Sequence, residues 1–150
     1  MKASEEATGT SAFLKTGRVW FTEEKLQAIK DLPIWFVQSA DDPVVVPANY
    51  MLPTYQALVK AGAENTWMSY FETVEGTDSP GTTYLGHFSW IYLFNNQVTG
   101  VQDKEAIAAA ADTETFGSEP SNAAGGGTAA ATVGETTYKN IFEWLNAQSR

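Results

Sequence analysis

The sequence predicts an α/β domain built around a parallel βαβ unit. Two short apolar runs, Ile34-Trp35-Phe36-Val37 and Trp67-Met68-Ser69-Tyr70-Phe71, have the pattern of strands buried on both faces of a parallel sheet. Between them lies a segment with apolar residues at helical spacing, through Met51, Leu52, Tyr55, Leu58 and Val59. Two strands joined by a helix of about a dozen residues form a crossover, and such crossovers are parallel and right-handed. At 150 residues the chain is expected to form one domain with a core large enough to need no staples, and it has no cysteine with which to make any.

The elements follow in order. Thr22 suits a helix N-cap, Glu23 and Glu24 suit the positive end of the helix dipole, and Leu26 with Ile29 supply the buried stripe. That helix is expected to stop near Asp31, ahead of Pro33. After the first strand, Asp41-Asp42-Pro43 and Pro47 supply turn chemistry. The second helix tolerates Pro53 in its first turn and meets Gly62 as its C-terminal stop. The second strand gives way to a polar turn through Gly76-Thr77-Asp78-Ser79-Pro80-Gly81. Gly86-His87-Phe88-Ser89-Trp90 then opens a short aromatic helix that fades by Asn95-Asn96. Tyr138, Ile141, Phe142 and Leu145 fall at helical spacing, predicting a terminal amphipathic helix over one face of the sheet.

Composition breaks sharply between 102 and 137. That stretch holds ten alanines, five glycines and three large apolar residues, Ile107, Phe116 and Val133. It also holds six acids against Lys104 alone, so it contributes -5 of the net -9. Few side chains there can offset the entropy of ordering, which predicts a surface excursion or flexible Ala/Gly-rich acidic insert. Gly125-Gly126-Gly127 lacks the Lys-Ser/Thr of a phosphate loop and reads as loop. An acidic chain without a basic stripe is a poor partner for nucleic acid and for anionic membrane surfaces. The N-terminus, Met1-Lys2-Ala3-Ser4-Glu5-Glu6, has no apolar signal-peptide core, although an exported parent protein fits the same sequence.

Ligands of open parallel sheets gather beyond the carboxyl ends of the strands. Asp41 and Asp42 directly follow the first strand, and His87, the single histidine, lies in the connection after the second. Adjacent parallel strands place those loops on one rim. The plainer alternatives are a structural turn histidine and an Asp-Pro turn whose carboxylate caps neighbouring amides. Asp41, Asp42 and Asp78 lack the spacing of a metal cage, so no metal and no cofactor is expected.

The stretch Leu32-Pro33-Ile34-Trp35-Phe36-Val37-Gln38-Ser39-Ala40-Asp41-Asp42-Pro43-Val44-Val45 resembles the acid-bearing strand and turn of bacterial esterases and prolyl-oligopeptidase-like hydrolases of the α/β-hydrolase superfamily. Gly86-His87 resembles the turn that carries their triad histidine, and Tyr138 to Leu145 their closing helix. The resemblance covers residues 19 to 98 and 136 to 148. It implies that Asp42 is the triad acid, with Asp41 as the fallback, and that His87 is the general base and acid of a serine-type carboxylesterase. The implied substrate is a small-molecule carboxylic ester with small or aromatic groups. Trp90, one helical turn past His87, could line an apolar acyl or alcohol site.

The family's GxSxG elbow is absent, as is an HGGG-type oxyanion loop, and Gln38-Ser39 replaces the His-Gly that often opens the acid turn. Gly9-Thr10-Ser11-Ala12-Phe13 has the first glycine of an elbow but not the last. Ser39 could face the rim but lacks elbow geometry, and Ser79 and Ser11 are weaker candidates still. Only 33 residues precede Ile34, too few for the upstream strands and elbow. The expectation is therefore the carboxyl half of a partial α/β-hydrolase sheet, either a truncated esterase or an inactive remnant serving as a binding or oligomerisation module. An unpaired apolar strand edge predicts a homodimer or larger homo-oligomer.

Overall fold

A computed structural model describes residues 22–76 and 81–148 of the chain. Helix α1 (Glu23–Ile29) begins at Thr22, whose hydroxyl accepts from the Lys25 amide at 3.2 Å. Strand β1 (Ile34–Ser39), a 3-10 turn (Pro47–Asn49), helix α2 (Met51–Lys60) and strand β2 (Thr66–Phe71) complete the first half. The strands pair in parallel, from Ile34 opposite Thr66 to Ser39 opposite Phe71. The fold is mixed α/β, a two-stranded parallel sheet with helices on its faces.

Alternation along the strands sorts side chains into two cores. Ile34 and Phe36 of β1, with Met68 and Tyr70 of β2, meet α1 and α2 through Leu26, Leu52, Tyr55 and Leu58. Trp35, Val37, Trp67 and Phe71 meet the opposite layer. Each fully buried Leu or Met there contributes about 1.5–3 kcal/mol of transfer free energy. The two strands differ from the symmetric expectation. Every residue of β2 is buried, whereas β1 is only half-buried up to its last residue, Ser39. Each strand has a single strand neighbour among the described residues, but the other edge of β2 is covered by backbone from Gln102, Ser121 and Gly126.

The opposite layer begins beyond a short antiparallel ribbon, β3 (Val74–Glu75) with β4 (Thr83–Tyr84). A 3-10 turn (Gly86–Phe88) and helix α3 (Trp90–Phe94) follow. Tyr92 stacks on Phe71 with ring centroids 4.1 Å apart, and its hydroxyl donates to the Thr73 carbonyl while accepting from the Glu75 amide. These contacts clamp α3 to the end of β2.

Within residues 102–137, where the sequence predicts a surface excursion or flexible insert, three points of the backbone bond to β2. The Gln102 amide donates to the Met68 carbonyl, the Tyr70 amide to the Gly126 carbonyl and the Ser121 amide to the Tyr70 carbonyl. Small residues permit this approach. A Cβ on Gly126, where φ is +100°, would sit 2.9 Å from the Ser69 Cα. Helix α4 (Lys104–Ala109) starts at the Asp103 N-cap and buries Ile107 against α2, and β5 (Ala131–Val133) with β6 (Thr136–Tyr138) forms a hairpin. Most of the segment is exposed or half-buried, in keeping with its poverty of large apolar residues, while backbone hydrogen bonds and close glycine contacts tie it to β2.

Helix α5 (Ile141–Asn146) also differs in its buried stripe. Asn140 caps it by accepting from the Glu143 amide at 2.9 Å, which starts the helix after Tyr138 and leaves that residue in β6. Ile141 and Trp144 are the buried pair, while Phe142 and Leu145 are exposed. Trp144 meets Trp35 edge-on at 5.3 Å, so α5 does cover one face of the sheet as expected. No helix among the described residues is long and apolar enough to cross a membrane.

Candidate acid–base site

The site grows from the carboxyl end of β1. The chain turns back at once, with the Asp42 amide donating to the Ser39 carbonyl at 3.3 Å. That turn buries the Asp42 side chain and splits the work of its two oxygens. Oδ1 accepts from the amides of Val44 at 2.8 Å and Val45 at 3.0 Å. Oδ2 accepts from Gln38 Nε2 at 2.7 Å and faces His87 Nδ1 at 3.2 Å. The capping alternative for an Asp-Pro turn and the contact with histidine therefore hold together, one on each oxygen.

Burial pushes the Asp42 carboxyl up, but the Val45 and Val44 amides, together with the hydrogen bond and charge of His87, outweigh it and leave the group below its ordinary value. The carboxylate is ionised at neutral pH and can only accept. The hydrogen of the neutral imidazole then belongs on Nδ1, and Nε2 is left with a lone pair. Nε2 has no hydrogen-bond partner among the described residues, and the His87 side chain is 40% exposed.

Gly86 explains why the histidine turn can come this close. A Cβ at that position would lie 2.6 Å from both the Asp41 carbonyl carbon and the Asp42 nitrogen, so only glycine lets the two turns touch. Asp41, the fallback acid, is engaged elsewhere. Its Oδ1 accepts from the buried Ser39 hydroxyl at 2.5 Å. Ser39 thus lies close to the acid turn but spends its hydroxyl on Asp41. Trp90 is half-exposed between Phe88 and Phe94, with ring centroids 5.5 and 5.9 Å away, and forms part of a surface ridge beside the site.

Among the described serines, none hydrogen-bonds His87. Ser69 donates to the Gly100 carbonyl at 2.6 Å, and Ser89 lies 3.4 Å from the Val37 carbonyl. Ser11 and Ser79 lie outside the described residues. No group of three or more carboxylate or histidine side chains among the described residues is placed to hold a metal ion. Gln38 is a residue that sequence reasoning named only as a departure from the family pattern, without its role in the site. Its amide bridges Asp42 Oδ2 and the Val45 carbonyl, bracing the acid turn from the end of the strand. Its signals were its place, with Ser39, where the resembled family has His-Gly, and its spacing of four residues before Asp42.

Searches against protein-family models, curated proteins and solved structures find no match to this chain.

Proposed function

We propose that this chain provides the acid–base half of an α/β-hydrolase-type serine carboxylesterase, with His87 as general base and acid and Asp42 as the group that positions it. One observation carries the proposal: an ionised, buried carboxylate holds Nδ1 of an accessible imidazole at 3.2 Å. A serine hydroxyl attacking an ester carbonyl must lose its proton as the Oγ–C bond forms, and Nε2 accepts it. The alkoxide leaves with that proton, giving an acyl-enzyme and an alcohol. Water then repeats the sequence through Nε2, releasing the carboxylic acid and restoring the serine. Asp42 stabilises the imidazolium in both halves without itself taking the proton.

A second reading follows from a separate observation, the lack of any described serine bonded to His87. In that reading the chain is a hydrolase remnant acting as a binding or oligomerisation module. A fluorophosphonate probe followed by peptide mapping separates the two. The esterase reading expects one modified serine, together with hydrolysis of a chromogenic carboxylic ester that falls by at least about 10²-fold in His87→Ala. An unmodified protein with no hydrolysis leaves the module reading in place. Hydrolysis indifferent to His87→Ala removes the assigned mechanism.

A further inference from the structure

We propose that Gln38 is a positioning residue for His87, holding Oδ2 of Asp42 where it keeps the imidazole proton on Nδ1 and leaves the Nε2 lone pair for the substrate side. The proposal deepens the acid–base reading of the site, and it rests on the esterase reading only for its effect on turnover.

Gln38 is the polar end of an otherwise apolar run, Ile34-Trp35-Phe36-Val37, and it is half-buried. A polar side chain in that setting must find partners. Its Nε2 donates to Asp42 Oδ2 at 2.7 Å and to the Val45 carbonyl at 3.0 Å. Both partners can only accept, the carbonyl by nature and the carboxylate because it is ionised. The amide is therefore oriented with its nitrogen toward the turn, and both of its N–H bonds are spent there.

Among the described residues the Asp42 carboxylate meets the Val44 and Val45 amides on Oδ1, and Gln38 and His87 on Oδ2. Together they occupy the lone-pair sites that a carboxylate offers. These donors differ in what they are fixed to. The Val44 and Val45 amides belong to the turn itself and travel with Asp42. Gln38 stands on the sheet, where its backbone lies opposite Tyr70 in the parallel ladder. It also closes the turn, since Val45 gives its amide to Asp42 and its carbonyl to Gln38. Gln38 thus fixes the carboxylate relative to β1. The histidine turn is tied to the same strand end, by the close approach of Gly86 to the Asp41–Asp42 backbone and by the Ser89 hydroxyl 3.4 Å from the Val37 carbonyl.

Distance ranks the two donors on Oδ2. Gln38 sits at 2.7 Å and His87 at 3.2 Å, so the glutamine sets where the oxygen lies. When Nε2 takes a proton, Nδ1–H becomes the donor of a cation and binds the same oxygen more strongly. That gain is largest when Oδ2 is already in place. Without Gln38, two amides still hold Oδ1, but Oδ2 is free to pivot away from Nδ1. The imidazole proton then redistributes toward Nε2, the form a solvated imidazole prefers, and a proton on Nε2 blocks the general-base step.

The single histidine makes the test direct, because the imidazole nitrogen resonances of the full chain belong to His87 alone. Recorded at about pH 9, where imidazole is neutral, they report which nitrogen carries the proton. The parent is expected to show Nδ1 protonated and Nε2 bare. Gln38→Met, close in length but without an N–H, should move the two resonances toward each other as the tautomers mix. Gln38→Asn, whose amide is too short to reach both acceptors, should move them in the same direction by less. With a chromogenic carboxylic ester, Gln38→Met should lower kcat by about 10- to 100-fold and leave KM nearly unchanged. A purely structural brace would lower thermal stability without moving the nitrogen resonances. A parent protonated on Nε2, resonances unchanged in both variants, or a kcat that Gln38→Met leaves unchanged overturns the proposal. A parent that hydrolyses nothing counts against the esterase reading alone, since the nitrogen resonances decide the placement of the proton without turnover.

Discussion

At the scale of single residues, the candidate site is a matter of close approach. Asp42 and His87 were legible in the sequence because their side chains bear the chemistry and each follows a recognisable strand. The glycine before the histidine was legible only as a pattern. Its physical reason needed the fold, since a methyl group there would overlap the Asp41–Asp42 backbone. Gln38 had no comparable signature, because a glutamine at a strand end is ordinary until its amide is seen bridging Asp42 and Val45. Gly86→Ala must separate the two turns, which is expected to cost about 1–3 kcal/mol as overpacking does elsewhere. Thermal unfolding measures that cost, and the variant should also lose ester hydrolysis if the Asp42–His87 contact supports it. An alanine variant as stable as the parent would show that the turns do not need to touch. Asp42 has its own pH signature. Its folded value lies below the ordinary one, so its contribution is present above the ordinary carboxylate value and disappears as pH falls through the folded value. Between about pH 6 and pH 3 the parent should therefore lose more stability than Asp42→Asn, and parallel losses would contradict the assignment.

At the scale of elements, periodicity worked where packing is local and failed where it is not. The helix of the βαβ unit was readable because Leu52, Tyr55 and Leu58 face one core at helical spacing. The last helix was misread by its stripe. Four apolar residues at plausible spacing include two that are exposed, Phe142 and Leu145, and Trp144, which makes the contact with Trp35, lay outside the set. In the 102–137 segment the sequence pattern leaves out the contacts with β2 for a different reason. Apolar counting cannot see a backbone that packs because its side chains are absent, and here Gly126 lies against Ser69 while donors and acceptors of β2 complete the layer. Gly126→Ala therefore tests the cover directly. With φ at +100° and Ser69 in the way, it should destabilise by more than about 1 kcal/mol and raise amide exchange at Tyr70, whose proton goes to the Gly126 carbonyl. Unchanged exchange at Tyr70 would show that the segment does not depend on this approach.

At the scale of the whole molecule, titration links the cover to the sheet. The Lys104 ammonium lies 3.7 Å from the centroid of the Trp67 ring and donates to the carbonyls of Ala63 at 3.1 Å and Glu64 at 2.6 Å. Burial holds Lys104 down to about 8, against the opposing pull of the Glu64 carboxylate. The sign of the consequence runs against the impression those contacts give. In the unfolded chain the lysine keeps its proton to its ordinary value of 10.5, so between about 8 and 10.5 the unfolded state binds more protons than the folded one. Stability from this group therefore rises with pH through that window. Above about 10 the tyrosines act in the other direction. Burial raises Tyr55, Tyr70 and Tyr92, so the folded state keeps their protons longer and their contribution is lost as the solution becomes more alkaline. Self-repulsion of an acidic chain adds a background slope, which a difference measurement removes. Chemical denaturation of the parent and of Lys104→Met at pH 7, 9 and 10 isolates the lysine. The parent should gain stability relative to the variant between pH 7 and pH 10, and Trp67 emission should change over the same interval as the ammonium above the ring loses its charge. A gap between the two proteins that stays constant or moves in the variant's favour would mean that Lys104 titrates alike in the folded and unfolded chain.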